Sequence, residues 1–469
     1  MIQYLLPSII LFVFGLLVIG ISIFTKSSKL LMYTSLSGAL ISFLILLYNL
    51  LNFTFEKYSV FYFDFPGTIF SLLFVFILIF VIVSSMKFNY SKPELYYVLM
   101  LFATGSMILA AYSYNLIAIF VTFEAASLAT YALASYPKSP KSLEASLKFF
   151  VIGALSSAFI IFGISYYYIS TSSFILGVMP SNNFSQLFIL SLILLIVGFG
   201  FKLSLFPFPS WAIDTYNGSR APVSALLSTA SKLMALIVMI RIFLSGNFQI
   251  QIGSTGYTYV QAFFIIISIL TMTYGNVTAL AQRDVKRMLA YSSVANAGYL
   301  ALVFTITGST ALSLALSSIL VFSMAYILMK GGAFISMENF EGKGIGTSLD
   351  DISGIAKKRP LFAISFAILL FSLAGIPPTL GFMGKYFLFL SLIEGNLWWL
   401  AIIAVINSAI SVYYYFRVVM YMWKEPKMNF ETNRNVDVVV LSFAILVIIV
   451  GILTPFFIGG LNVLWGGLP

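Results

Sequence analysis

Leu373-Ala374-Gly375-Ile376-Pro377-Pro378-Thr379-Leu380-Gly381-Phe382-Met383-Gly384-Lys385 interrupts an apolar run that extends from about residue 360 to 392. Two consecutive prolines remove two backbone donors and stop a helix, although the flanking residues are as apolar as those of a membrane span. Non-helical backbone at that depth is tolerated only where it is buried in protein or lines a wet cavity. A second segment repeats the arrangement: Phe201-Lys202-Leu203-Ser204-Leu205-Phe206-Pro207-Phe208-Pro209 again places a lysine beside two prolines. Paired interrupted spans in the two halves of one chain are the sequence sign of an inverted-repeat transporter.

The rest of the chain supplies the membrane for these breaks. Of 469 residues, 61% are hydrophobic and 9% charged, whereas a soluble domain is nearer half apolar and about a quarter charged. Apolar runs of roughly 20 residues, each long enough to cross the hydrocarbon layer, recur throughout. The reading is all-α, a polytopic membrane protein with about fourteen spans. They fall near 2–24, 30–51, 66–86, 95–113, 115–135, 146–170, 186–208, 222–244, 259–281, 288–306, 311–333, 360–392, 396–423 and 438–460. The first run, Ile2 to Phe24, has neither a basic segment before it nor a small-residue cleavage pattern after it, so it reads as a retained span. Cysteine and histidine are both absent, which removes thiolate metal sites, Cys-ligated clusters, haem and the usual zinc ligands from this polypeptide.

The net charge of +10 is not a nucleic-acid signature, because its placement alternates. One set of loops holds seventeen Lys and Arg residues, among them Lys29, Lys92, Lys138, Arg220, Lys286, Lys357 and Arg434, and the other set holds only Lys57. The positive-inside rule then puts the rich set in the cytoplasm and both termini outside. Seven basic residues remain inside spans: Lys148, Lys202, Lys232, Arg241, Lys330, Lys385 and Arg417. Lys148, Arg241 and Arg417 lie near span ends, where a long stem reaches the headgroups.

Glu124 and Lys232 are central in their spans, so neither is expected to snorkel. A mid-membrane charge costs about 2.5–3.5 kcal/mol on insertion scales and persists when paired, hydrated or neutralised. An ion pair that pins two helices is the bland account. One deep acid faces at least three deep lysines, however, so most of these amines lack a fixed carboxylate within the chain. Desolvation disfavours a charged amine, so such a lysine takes up and releases protons more readily than an exposed one.

Four stretches carry a resemblance. They are Phe120-Val121-Thr122-Phe123-Glu124-Ala125; Phe201 to Pro209 followed by Asp214 to Ala225; Gln282-Arg283-Asp284-Val285-Lys286-Arg287-Met288-Leu289-Ala290-Tyr291-Ser292-Ser293; and Gly375 to Lys385. The chain resembles the antiporter-like membrane subunits of respiratory complex I, the NADH:quinone oxidoreductase, and within them subunit N. The resemblance implies two inverted five-helix repeats, each with a broken helix, within a layout of 1–94, 95–246 (first repeat), 247–423 (second repeat) and 424–469. It implies a translocase subunit that moves protons through Glu124 and Lys202 as an interacting pair, Lys232 as central relay and Lys385 as the residue of the exit half-channel. Lysine in the eighth span favours subunit N, because sister subunits often place a histidine nearby. Quinone and iron-sulfur clusters are expected in partner subunits, with none in this chain. The other membrane and peripheral subunits and the lipid bilayer are the expected partners, nucleic acid is not, and the expected location is a prokaryotic cell membrane. A subunit of a multisubunit cation/proton antiporter or of a membrane-bound hydrogenase is the alternative. Asn296 stands where sister subunits often carry histidine. Lys330 departs from the family pattern, and its place near the end of its span suggests the cytoplasmic surface.

Overall fold

Inside a bilayer each backbone N–H and C=O must be satisfied within the protein, and an apolar segment achieves this alone only as a helix. The computed structural model describes residues 2–25, 27–86, 92–136, 138–180, 185–244, 257–307, 309–342, 344–426 and 433–461. Its helices are α1 (Ile2–Phe24), α2 (Ser28–Leu51), α3 (Phe65–Ser84), α4 (Pro93–Tyr112), α5 (Leu116–Ala134), α6 (Pro140–Thr171), α7 (Ser185–Leu203), α8 (Ser210–Gly218), α9 (Ala221–Ser228) and α10 (Ala230–Leu244). They continue with α11 (Tyr259–Leu280), α12 (Val285–Ala301), α13 (Ser309–Tyr326), α14 (Gly332–Glu341), α15 (Ile355–Lys358), α16 (Pro360–Ala374), α17 (Leu380–Glu394), α18 (Trp398–Met422) and α19 (Arg434–Leu461).

Among the described residues, thirteen helical segments are long and apolar enough to cross a membrane, and α16 with α17 makes a further, broken crossing. That agrees with the expected fourteen. Local chemistry sets the ends: Asp64, Asn115, Ser139, Thr258 and Asp284 each accept a backbone N–H at a helix N-terminus. The proposed boundary at 246/247 lies outside the described residues, as do Lys26, Lys87, Lys343 and Lys427.

The hairpin of Glu56–Tyr58 with Phe61–Phe63 carries Lys57 on one side of the bundle. Asn49 Nδ2 donates to Gln3 O beneath it at 2.8 Å, so the start of α1 lies on the Lys57 side. The basic loops meet on the opposite side, where Lys286 reaches Ser219 O and Arg417 donates to Leu280 O and Gln282 O. Helices α9 and α10 are wholly surrounded by protein, whereas α1, α2 and α6 present much of their surface outward. The core that matters for function is therefore the interior of the bundle around α10 and α12.

Candidate proton pathway

The two breaks expected from proline are present. Helix α7 ends at Leu203 one residue after Lys202, and α8 restarts at Ser210. Helix α16 ends at Ala374, capped by Gly375 at φ +86°, and α17 restarts at Leu380. Only glycine holds that left-handed conformation without steric cost, and a Cβ there would approach Lys385 Cδ to 3.3 Å.

Two further interruptions carry no proline. Thr229 (φ −110°, ψ −82°) separates α9 from α10 three residues before Lys232. A π-turn over Ile327–Gly331 separates α13 from α14 and contains Lys330. Such turns free a carbonyl and widen the helix, and they recur at functional positions.

Each lysine is held by neutral oxygens. Lys202 Nζ donates to Ser127 Oγ (3.1 Å) and Thr130 Oγ1 (3.2 Å) on α5, with the rings of Phe149 and Tyr131 4.7 and 4.9 Å away. Lys232 Nζ donates to Ser293 O at 3.0 Å and lies 5.6 Å from the Tyr216 ring. Lys385 Nζ donates to Leu373 O (3.0 Å), Ala374 O (3.4 Å) and Ser408 Oγ (3.1 Å), with the Tyr299 ring 4.8 Å away. Two of its acceptors are carbonyls that the α16 break releases, which explains why the break and the lysine occur together.

Glu124 and Lys202 do not form an ion pair in this structure. Glu124 Oε1 accepts from Ser157 Oγ of α6 at 2.7 Å. Glu124, Ser127 and Tyr131 recur at helical spacing on α5, so the carboxylate lies about one turn from the hydroxyls that hold the amine.

Three expectations change. Lys330 is not at the cytoplasmic surface: it is fully buried and donates to Leu289 O (2.9 Å) and Ser292 Oγ (2.6 Å). Arg241 does not snorkel. It too is fully buried, donating to Asp64 Oδ1 at 2.7 Å and to Ala111 O at 2.6 Å. Nor is Glu124 the single deep acid, because Asp64 and Glu338 are buried while Glu124 is partly exposed. Lys148 does remain near the surface, paired with Glu144 and Asp214 at 2.9 Å each.

Helix α12 links the sites. Its Leu289 and Ser292 hold Lys330, its Ser293 carbonyl holds Lys232, and its Tyr299 packs on Lys385. Polar side chains continue the line: Ser293 Oγ meets Tyr326 OH at 2.8 Å, and Asn276 joins Tyr299, Asn407 and Tyr414. The Oδ1 atom of Asn296 is buried in the same region without a hydrogen-bond partner among the described residues, which suits ordered water. A cavity of about 430 Å³ reaches Lys385 from the outward-facing side of α17 and α18, lined by Phe382, Tyr386, Phe389 and Val412.

The family profile described as NADH:quinone oxidoreductase/Mrp antiporter, TM matches residues 113–411, the region that carries both breaks and Lys202, Lys232, Lys330 and Lys385. The chain belongs to this antiporter-like membrane family. Among its relatives, F(420)H(2) dehydrogenase subunit N of Methanosarcina mazei is 37% identical over 96% of this chain and 95% of its own. NADH-quinone oxidoreductase subunit N 1 of Thermodesulfovibrio yellowstonii is 38% identical over 84% and 82%. In respiratory complex I from Thermus thermophilus one chain superposes with a TM-score of 0.84 at 28% identity, covering 97% of this chain and 99% of that one. A chain of the Mrp complex from Dietzia sp. shares the fold at a TM-score of 0.85 and 15% identity, covering 100% and 98%. The expected likeness to subunit N is thus matched by relatives that bear that name. For this antiporter-like subunit, the chemistry available is proton transfer between amines, hydroxyls and water.

Proposed function

We propose that the chain is the proton-translocating membrane subunit of a complex I-type oxidoreductase, with Glu124, Lys202, Lys232 and Lys385 as relay and Lys330 added to it. One observation carries this reading: Lys202, Lys232, Lys330 and Lys385 are at most 3% exposed and, unlike the equally buried Lys286 with its Glu341, none of the four has a carboxylate within ion-pair distance among the described residues. A mid-membrane charge without a fixed counter-ion is costly to hold, so these side chains suit a relay better than a structural ion pair.

In the arrangement here Glu124 is turned to Ser157 and Lys202 to Ser127 and Thr130. When Glu124 swings to Lys202, the carboxylate holds the ammonium; when it returns to Ser157, the proton is released toward Lys232. Lys232 passes it to Lys330 and Lys385 along the polar face of α12. Moving one charge against 100 mV costs about 2.3 kcal/mol, and redox subunits bearing iron-sulfur clusters and a quinone site supply it. The relatives differ in donor, one named for F(420)H(2) and others for NADH, so the donor is assigned only as a reduced carrier. The two inverted repeats place α7 with α8 and α16 with α17 in equivalent roles. The basic loops face the cytoplasm of a prokaryotic cell and both termini face outward.

Lys202→Ala and Glu124→Ala in the assembled complex test the relay. Protons moved per electron should fall in both while the complex still assembles, and a wild-type ratio in both would refute it. A cation/proton antiporter subunit is the alternative that the Mrp fold likeness keeps open. Purification with sodium-stimulated activity and no redox subunits would select it.

A further inference from the structure

Glu338 lies outside the relay just described, yet its surroundings are those of a proton site. Its side chain is enclosed, Oε1 accepts from Arg220 Nη1 at the long distance of 3.5 Å, and Oε2 is buried without a partner among the described residues. A carboxylate left with an unpaired buried oxygen is costly unless it is protonated or hydrated for part of its time.

Its position connects solvent with the lysines. Glu341, one turn further along α14, is 23% exposed at the side chain, bonds Lys286 Nζ at 2.6 Å and accepts the Ala221 N–H at 3.1 Å. Arg220, Lys286 and Glu341 are thus the charged groups around Glu338, contributed by the α8–α9 loop, α12 and α14 itself. In the other direction Lys330, Phe334 and Glu338 recur at four-residue spacing, which places them along one ridge of α14 and its π-turn. Eight residues at 1.5 Å each make that separation about 12 Å. Between them stands Phe334, its ring 5.7 Å from Lys330 Nζ and 5.8 Å from the Tyr216 ring, which in turn lies 5.6 Å from Lys232 Nζ. The Phe334–Tyr216 ring pair thus joins the α14 ridge that carries Glu338 to the two amines.

We propose that Glu338 is the proton-loading carboxylate of the basic-loop side, taking a proton from solvent past Glu341 and delivering it to Lys330 or Lys232 when Phe334 and Tyr216 part. The inference rests on the relay reading above. In the step the carboxylate gains a proton from water, then gives it to a neutral lysine amine and returns to its ionised form, so no other reactant is needed.

Glu338→Gln, Glu338→Asp and Lys232→Ala are compared in the assembled complex, in sealed membrane vesicles, by proton-to-electron ratio. Expected is a loss in Glu338→Gln as large as that in Lys232→Ala, with the ratio recovered in Glu338→Asp. A wild-type ratio in Glu338→Gln beside a lowered one in Lys232→Ala overturns the loading role and leaves the relay standing. Wild-type ratios in both overturn the relay and this inference with it. Should Glu338→Gln fail to assemble, the wild-type complex is treated with dicyclohexylcarbodiimide, which attacks protonated carboxyls. A mass-spectrometric adduct on Glu338 that disappears at alkaline pH supports the role, and its absence at every pH overturns it.

Discussion

Replacing Arg241 by methionine should be the most damaging single change on the Lys57 side of the bundle. Arg241 and Asp64 are 1% and 5% exposed at their side chains and bonded at 2.7 Å, joining α10 to the start of α3. Arg241 also ties α10 to Ala111 O at the end of α4, and Asp64 Oδ1 accepts the Gly67 N–H as the N-cap of α3. Removing one partner of such a pair strands a buried charge and costs about 3–5 kcal/mol, whereas removing both is often close to neutral. Arg241→Met therefore loses roughly that amount, and Asp64→Asn loses a comparable amount while keeping an acceptor for Gly67 N. The double variant leaves no charge and keeps the cap, so it should lie closer to wild type than either single variant. Coupling in the double-mutant cycle should then reach about 3 kcal/mol or more, at or above the top of the span of about 0.5–3 kcal/mol usual for contacting residues. Equilibrium unfolding of the isolated subunit in mixed micelles with rising SDS measures it. Losses that simply add to within ~0.5 kcal/mol would show that the two charges do not depend on each other, and the account of the pair would be withdrawn.

Other consequences are equally direct. Gly375→Ala forces a left-handed residue and pushes a methyl toward Lys385, so it should cost ~1–2 kcal/mol and lower the proton-to-electron ratio; unchanged pumping would detach Lys385 from its cap. Lys330→Met should depress that ratio as Lys232→Ala does, while Lys424→Met on an exposed loop should not. Gly67→Ala would meet Asp64 Oδ1 at 2.7 Å and Arg241 Nη2 at 2.8 Å, and overpacking of this kind costs about 1–3 kcal/mol, read as a lower unfolding midpoint in the same SDS titration. Because the chain has no cysteine, Glu425→Cys and Asn396→Cys report orientation. A membrane-impermeant maleimide added outside intact cells should label Asn396→Cys alone, and the reverse pattern would invert the assigned topology.

The buried lysines differ in how far the sequence alone reveals their surroundings. The placing of Lys202 and Lys385 beside helix breaks was legible because proline marks its own break locally. Lys232 was legible from its distance to both span ends. Lys330 was misjudged, since Met329-Lys330-Gly331-Gly332 contains no breaker that announces a π-turn, and its acceptors Leu289 and Ser292 belong to another helix. The break at Thr229 was invisible for the same reason.

By itself the sequence determined the solvent, the number of crossings, the alternation of basic loops and the two proline breaks. All of these are written in hydropathy, charge order or a single residue's missing N–H, properties that do not depend on what lies nearby. Tertiary structure decided which charges are dry and what holds them. Arg241 stands three residues from the end of α10 and its partner Asp64 is 177 positions away; Glu338 stands three residues from the end of α14 and is sealed by the α8–α9 loop and α12. Depth along one helix is a one-dimensional measure, whereas burial is set by the helices packed around it, and only the folded chain brings those together.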